Sequence, residues 1–291
     1  MPRIAIIGAG AIGSVVAALL EENGRHEVFL CIRRPLPDLV VHDESRGRSI
    51  QVAARRLTGP EQAAAVDWIM VATKVPHVPD LAPWLRTLGA GAAPMAVLQN
   101  GVEHRERFAG LVEPARIVPV VVNCPVERLD PAQVRQRGRL QLKVPATSLG
   151  HDFVALFDGT AAEAAAVADF ATAAWRKLAF NAAGVMSALA GRPAGVFREA
   201  DIGAPVLEIV RECLAVGRAE GASLPDSLPE EVLQACRAQA PDSVNSLLAD
   251  RLAGRPTEID ARNGVVVRLG RKHGLPTPCN EMAVALLRAL P

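Results

Sequence analysis

The stretch "MPRIAIIGAGAIGSVVAALLEENG", residues 1–24, decides the fold. Arg3 is followed by seventeen uncharged residues, a run that on hydropathy alone passes for a signal peptide. Its internal order argues otherwise. Residues 4–7 are β-formers, Gly8, Gly10 and Gly13 fall in a GxGxxG spacing, and "AALLEE" offers no small-residue cleavage site. The stretch therefore predicts a buried strand at 3–7, a tight glycine turn, and a helix over 11–23, with a second strand at 26–32 ("HEVFLCI") closing a βαβ unit. In that setting the glycines permit a sharp turn, close approach of backbone to a pyrophosphate, and tight helix packing. Gly8, Ala9, Gly10, Ala11, Ile12 and Gly13 are thus the candidate dinucleotide loop.

Outward from this unit, apolar runs at 68–73 ("WIMVAT"), 95–99 ("MAVLQ") and 116–122 ("RIVPVVV") read as further strands. Alternation of strands with helical or loop segments predicts a parallel, doubly wound sheet. "RLQLKV" (139–144) and "FVALF" (153–157) read as later strands, and after Gly159 nearly everything reads as helix, including the alanine-rich 161–174. Helices are expected through 175–190, 203–220, 229–239, 243–252 and 258–273. The chain then divides into an α/β domain at 1–168 and an all-α domain at 169–291, in line with its 291 residues.

Composition narrows the function. Half the residues are hydrophobic, 22% are charged and the net charge is +1, so no phosphate-neutralising surface for nucleic acid is expected. Aromatic residues make up 3% and tyrosine is absent, which disfavours base-stacking platforms. Away from the amino terminus no uncharged apolar run approaches the ~20 residues that span a bilayer, so no membrane partner is expected. Five cysteines at 31, 124, 213, 236 and 279 form no CxxC, and the six histidines show no HExxH, so neither a disulfide framework nor a metal site is indicated. A reducing cytoplasm is the expected location.

Ligands of a doubly wound sheet sit beyond the carboxyl ends of its strands. Lys74 follows one strand, and Asn100 with Gly101 follows another. Beyond the second strand, where an NAD site usually carries an acid roughly 20 residues after the glycine turn, this chain has Arg33 and then Arg34. A guanidinium pairs with a 2′-phosphate, so NADP is the expected cofactor. In "WRKLAFNAAGVMSALA" (175–190), Lys177 opens a run with no further charge up to Gly191, and Asn181 lies four residues on, sharing its helix face. Gly184 and Ala188 continue that stripe with small side chains, leaving room for a ligand or a second backbone. In "NSLLADRLAGRPTEID", Thr257 is the expected N-cap, with Glu258 in the first helical turn.

Together "GAGAIG", the arginine after the second strand, "VATK", "QNG", "WRKLAFN" and "NSLLAD" followed by "GRPTEID" resemble the ketopantoate reductase (2-dehydropantoate 2-reductase) family across nearly the whole chain. The resemblance implies a Rossmann-type NADP-binding domain joined to a helical substrate and dimerisation domain, with NADPH and a small 2-oxo acid meeting in the cleft between them. It implies Lys177 as general acid, Glu258 beside it among the catalytic and pocket residues, Asn100, Asn181 and Ser246 lining the substrate pocket, and Lys74 and Asn100 near the nicotinamide end of the cofactor. A homodimer is compatible with it. Two departures stand out. The family pattern carries a second asparagine one turn beyond the first, where this chain has Val185, so one polar substrate contact is expected to be lost. The segment between "FVALF" and "WRKL" is short, so the last helix and strand of the first domain are expected to be trimmed. Two other functions stay open at this point: a related NADP-dependent dehydrogenase of another hydroxy or amino acid, and a non-catalytic NADP(H)-sensing module.

Overall fold

The computed structural model describes residues 1–290, which divide into two compact units: residues 1–99 with 104–170, and residues 100–103 with 171 onward. The first unit contains β1 (Arg3–Ile7), α1 (Ala11–Glu22), β2 (Glu27–Cys31), β3 (Leu39–Asp43), β4 (Arg48–Val52), β5 (Arg55–Leu57), β6 (Trp68–Val71), α2 (Ala82–Leu88), β7 (Met95–Val97), β8 (Ile117–Pro119), β9 (Val121–Asn123), β10 (Val126–Arg128), β11 (Gln133–Gln136), β12 (Gln141–Pro145), α3 (Ser148–Ala155) and β13 (Glu163–Val167). Its central sheet runs β5-β2-β1-β6-β7-β8 with every neighbouring pair parallel. Strand order reverses between β1 and β6, which creates the switch point where such sheets take a ligand.

Strand alternation explains why these strands are apolar throughout. On β1, Ile4 and Ile6 face one core with Val15 and Leu19 of α1, while Ala5 and Ile7 face the other with Trp84 and Leu88 of α2. A sheet covered on both faces needs apolar residues at successive positions rather than alternate ones. The same logic accounts for the uncharged amino-terminal run. Helix α1 packs on the central sheet and also on the four-stranded sheet β10-β11-β3-β4, so Gly13 through Leu20 are all buried. The uncharged run is thus a strand buried in the sheet, a glycine turn and a helix covered from two sides. Among the described residues no helix is long and apolar enough to cross a membrane.

Three local readings are corrected. "RIVPVVV" is two strands: β8 edges the central sheet, whereas β9 joins a third sheet, β13-β12-β9. "FVALF" is the end of helix α3 and the turn after it, begun by Thr147, whose hydroxyl accepts from the Gly150 N–H. The alanine-rich segment yields β13, parallel to β12, before the next helix starts at Phe170. The expected trimming removes neither element: α3 ends within "FVALF", just before that short segment, and β13 lies inside it.

The second unit is helical: α4 (Phe170–Ala183), α5 (Val185–Ala190), α6 (Gly203–Ala219), α7 (Leu228–Ala238), α8 (Ser246–Leu252), α9 (Ile259–His273) and α10 (Pro278–Ala289). One cluster joins Trp175, Leu178 and Ala179 of α4 to Val206, Val210 and Cys213 of α6. The expected single helix over 175–190 is broken at Gly184.

Phe153 anchors α3. It is fully buried, with Trp68 of β6 at 5.8 Å between ring centroids and Phe157 at 5.3 Å, both tilted. Phe153→Ala should cost about 3–5 kcal/mol of unfolding free energy, measured by urea denaturation. A loss below about 1 kcal/mol, the range of surface substitutions, would mean that α3 is not fixed by this ring.

Candidate active site

The glycine turn sits at the end of β1, beside the switch point. Gly8 has φ of +106°, and a Cβ there would lie 2.8 Å from the Thr73 methyl and 2.9 Å from the Thr73 nitrogen. At Gly13 a Cβ would lie 2.0 Å from the Gly8 carbonyl oxygen, so the first turn of α1 can pack on the loop only without a side chain. Both glycines are thus required by the protein's own packing. Gly10 is different. A Cβ there would meet only the Ala72 oxygen at 3.9 Å, which is ordinary contact, so nothing within the protein demands glycine. Gly10 is also the N-cap of α1, with no side-chain cap and no acid in the first turn. The first N–H groups of a helix lack helical partners and carry the positive end of its dipole, so this end of α1 suits a diphosphate. Ser14 stabilises the turn from inside by donating to the Gly10 carbonyl at 2.7 Å.

Lys74 follows β6, half-buried at the start of a short 3-10 segment. The residue before it, Thr73, is held by Gln99, a residue not singled out in the sequence. Gln99 is buried; its Nε2 donates to the Thr73 carbonyl at 2.8 Å, and its Oε1 accepts from Arg107 at 3.0 Å. The signal was a polar side chain between an apolar strand and "NG". Arg33 lies just past β2, largely exposed, with Asp80 Oδ2 at 3.5 Å from its Nη1. A second unsuspected residue, Arg128 of β10, donates to the Ala9 carbonyl within the glycine turn.

In the helical unit three candidates meet. Asn100 Nδ2 donates to Glu258 Oε2 at 2.9 Å, and Asn181 Nδ2 donates to Asn100 Oδ1 at 3.1 Å. Asn181 and Glu258 are buried and Asn100 is half-buried. Gly101, with φ of +104°, turns the chain immediately after Asn100. Lys177 lies one turn before Asn181 on α4, half-buried, its Nζ 5.8 Å from the centre of the Phe180 ring. Ser246 is the exposed first residue of α8 and stands outside the hydrogen-bonded trio. Its neighbour Asn245, not foreseen, does more local work: Oδ1 caps α8 by accepting from Leu248 N–H, and Nδ2 donates to the Gly184 carbonyl at 3.0 Å.

Two expectations about this region change. The N-cap of α9 is Glu258 itself rather than Thr257, and its carboxylate turns to Asn100 instead of capping the helix. The small stripe beyond Asn181 leaves no room for a ligand. A Cβ at Gly184 would lie 3.0 Å from Arg262 Nη2, and Ala188 is fully buried in an apolar cluster with Val185.

Residues 4–148 match the family model described as ketopantoate reductase PanE/ApbA, and residues 169–291 match the model for its C-terminal part. The chain belongs to the ketopantoate reductase family. It is 46% identical over 289 residues to a 2-dehydropantoate 2-reductase of Caulobacter vibrioides, covering 99% of each chain. It is 39% identical to the enzyme of that name from Mycobacterium tuberculosis, over 98% of this chain and 97% of the relative. Among solved structures, the 2-dehydropantoate 2-reductase of Geobacter metallireducens superposes with a TM-score of 0.91 at 25% identity, covering 98% of this chain and 99% of the other. The protein is accordingly an NAD(P)-dependent oxidoreductase acting on CH–OH groups.

The three glycines should separate by phenotype. Gly13→Ala is expected to lower thermal stability sharply, because its Cβ collides with backbone. Gly10→Ala should stay within about 0.5 kcal/mol of the parent in stability, as at an unencumbered position, yet weaken NAD(P)H binding by about tenfold or more, since the methyl takes space the diphosphate needs. Unfolding curves and cofactor fluorescence titrations read the two effects; unchanged affinity in Gly10→Ala would remove the diphosphate from that position.

Proposed function

We propose that this chain reduces 2-dehydropantoate to pantoate with NADPH, and that Lys177 is the proton donor. The observation carrying the proposal is the hydrogen-bonded set Asn181, Asn100 and Glu258, with a lysine one helical turn away. Its support is the family's two models spanning the chain and the 46% identical relative that bears the enzyme's name.

Bound NADPH would supply a hydride to the carbonyl carbon of the 2-oxo acid. Negative charge then builds on the carbonyl oxygen, and the Lys177 ammonium meets it, stabilising that charge and transferring one Nζ proton to give the hydroxyl. Asn181 shares the lysine's helix face and orients the ammonium or the substrate oxygen. Glu258, an acceptor steadied by the Asn100 amide, suits a hydroxyl on the substrate, and Ser246 at the start of α8 suits its carboxylate. Lys74 and Asn100 are assigned to the nicotinamide end of the cofactor.

Arg33 is assigned to the 2′-phosphate, which favours NADPH over NADH. Its exposed guanidinium has Asp80 Oδ2 at 3.5 Å, the outer limit of a hydrogen bond, so a phosphate can compete for it. The reaction is assigned to the cytoplasm on the strength of five free thiols. Burial pushes the Cys31 and Cys236 thiols up to about 12, which makes them inert packing groups rather than redox centres.

Purified protein should oxidise NADPH with 2-dehydropantoate faster than with a panel of other branched 2-oxo acids. Preference for a different acid would overturn the substrate, and cofactor binding without turnover of any acid would overturn the enzyme. Lys177→Ala should lower kcat by roughly 10²- to 10⁴-fold, the usual value of positioned proton transfer, with NADPH affinity nearly intact. Arg33→Ala should weaken NADPH about 10- to 100-fold, as expected for loss of a charge-assisted hydrogen bond, and leave NADH almost unaffected; equal losses for both would remove the phosphate from Arg33.

A further inference from the structure

Arg262 is a charged residue in a place that charge seldom occupies. It lies on α9 four residues after Glu258, is 3% exposed, and its Nη2 donates to the main-chain carbonyl of Asn181. Two buried carboxylates attract it, Glu258 and Asp250. Asp250 is held from its other side by Arg255 Nε at 3.0 Å. Burial lowers the guanidinium to about 10, which leaves it protonated at neutral pH. Its Nε is buried with no hydrogen-bond partner.

This arrangement is costly. A desolvated cation with an unfilled donor is destabilising relative to a well-packed apolar side chain of similar volume. Replacing the guanidinium alone, however, would strand two buried carboxylates, so stability is one reason to keep it. The contacts suggest another reason. Asn181 lies in the last turn of α4, where carbonyls lose their helical partners and a cation is favoured. The glycine that follows α4 leaves room for the guanidinium, since a Cβ at Gly184 would lie 3.0 Å from Nη2. One side chain thus joins the turn carrying Asn181, one residue-turn after Lys177, to the first turn of α9, where Glu258 begins the helix.

We propose that Arg262 is a positioning residue for the reductase site: it fixes the last turn of α4, which carries Asn181, against Glu258, and touches neither substrate nor cofactor. The proposal rests on the active-site reading given above. Its consequence is that neutralising Arg262 loosens the Asn181–Asn100–Glu258 chain and leaves two buried carboxylates without their shared cation. Misplacement of a catalytic group by about 1 Å costs up to roughly 100-fold in rate.

The test compares Arg262→Gln, Arg262→Lys and Gly184→Ala in the full-length protein, reading kcat, KM for 2-dehydropantoate, NADPH affinity by fluorescence, and Tm. Arg262→Gln should lower kcat/KM by roughly 10- to 100-fold with NADPH affinity within about twofold, and Arg262→Lys, which keeps the charge, should recover part of the loss. Gly184→Ala, which displaces the guanidinium without removing it, should shift kcat/KM the same way. Parental kcat and KM in a folded Arg262→Gln protein, whatever its Tm, would show a purely structural role and overturn the proposal. If Arg262→Gln does not fold, parental kinetics in both other variants would overturn it equally. Lys177→Ala and Glu258→Gln run alongside separate the two failures. Full turnover in those variants sinks the active-site reading and this inference with it, while loss of turnover there with none in the Arg262 variants sinks this inference alone.

Discussion

Burial of the Glu258 carboxylate constrains the helical unit more than any other feature. A carboxylate removed from water is unstable unless donors replace its hydration, and the donors here come from distant parts of the chain. The Asn100 amide is 158 residues away in sequence and gives the direct hydrogen bond; Asn181 steadies that amide in turn. Arg262 adds a cation from one turn further along the same helix. The N-terminal end of α9 contributes its own positive dipole, since Glu258 occupies the cap position. Four otherwise unrelated features, a loop after β7, the end of α4, the start of α9 and a buried arginine, are explained by one charge that has to be satisfied.

The sheet unit answers to a different constraint, close approach of backbone to backbone. Gly8 and Gly13 are required because the residues just after β6 crowd Gly8 and the Gly8 carbonyl crowds the first turn of α1, too near in both places for a side chain. Such requirements act over a few residues, and for that reason they are legible in sequence. The strands covered on both faces were equally legible, since continuous apolar runs bounded by turns leave few other readings. The misreadings have separate causes. In "SLGHDFVALF" the apolar Phe153, Leu156 and Phe157 recur at helical spacing, but a five-residue window conceals it. In the segment giving β13, alanines with high helix propensity form a strand because pairing with β12 outweighs a weak local preference.

The site divides along the same line. Lys177 and Asn181 could be paired from spacing alone, because they share one helix. The partnership of Asn100 with Glu258 could not, and neither could the roles of Gln99, Asn245 and Arg262. Each of these is a polar residue whose meaning lies in a carbonyl or carboxylate far along the chain: Thr73 for Gln99, Gly184 for Asn245, Asn181 for Arg262. An arginine inside a helix otherwise reads as surface charge. Only tertiary structure shows that this one is enclosed.

Val185, where the family pattern has an asparagine, shows what a side chain one turn beyond Asn181 meets in this chain. Counting four residues from Asn181 assigns position 185 to the face that carries Lys177, and valine there then looks like a lost substrate contact. Helix α4 ends at Ala183 and α5 begins at Val185, with Gly184, still helical in its backbone, between them giving its carbonyl to Asn245. Val185 is fully buried against an apolar cluster that includes Leu247, Leu248 and Ile259. A branched hydrocarbon in that place removes apolar surface from water, contributing about 1.5–3 kcal/mol, and helps hold α8 and the start of α9 where Ser246 and Glu258 begin them. An asparagine at the same point would need partners for both ends of its amide in hydrocarbon surroundings. In this chain position 185 therefore serves packing, joining α5 to α8 and the start of α9.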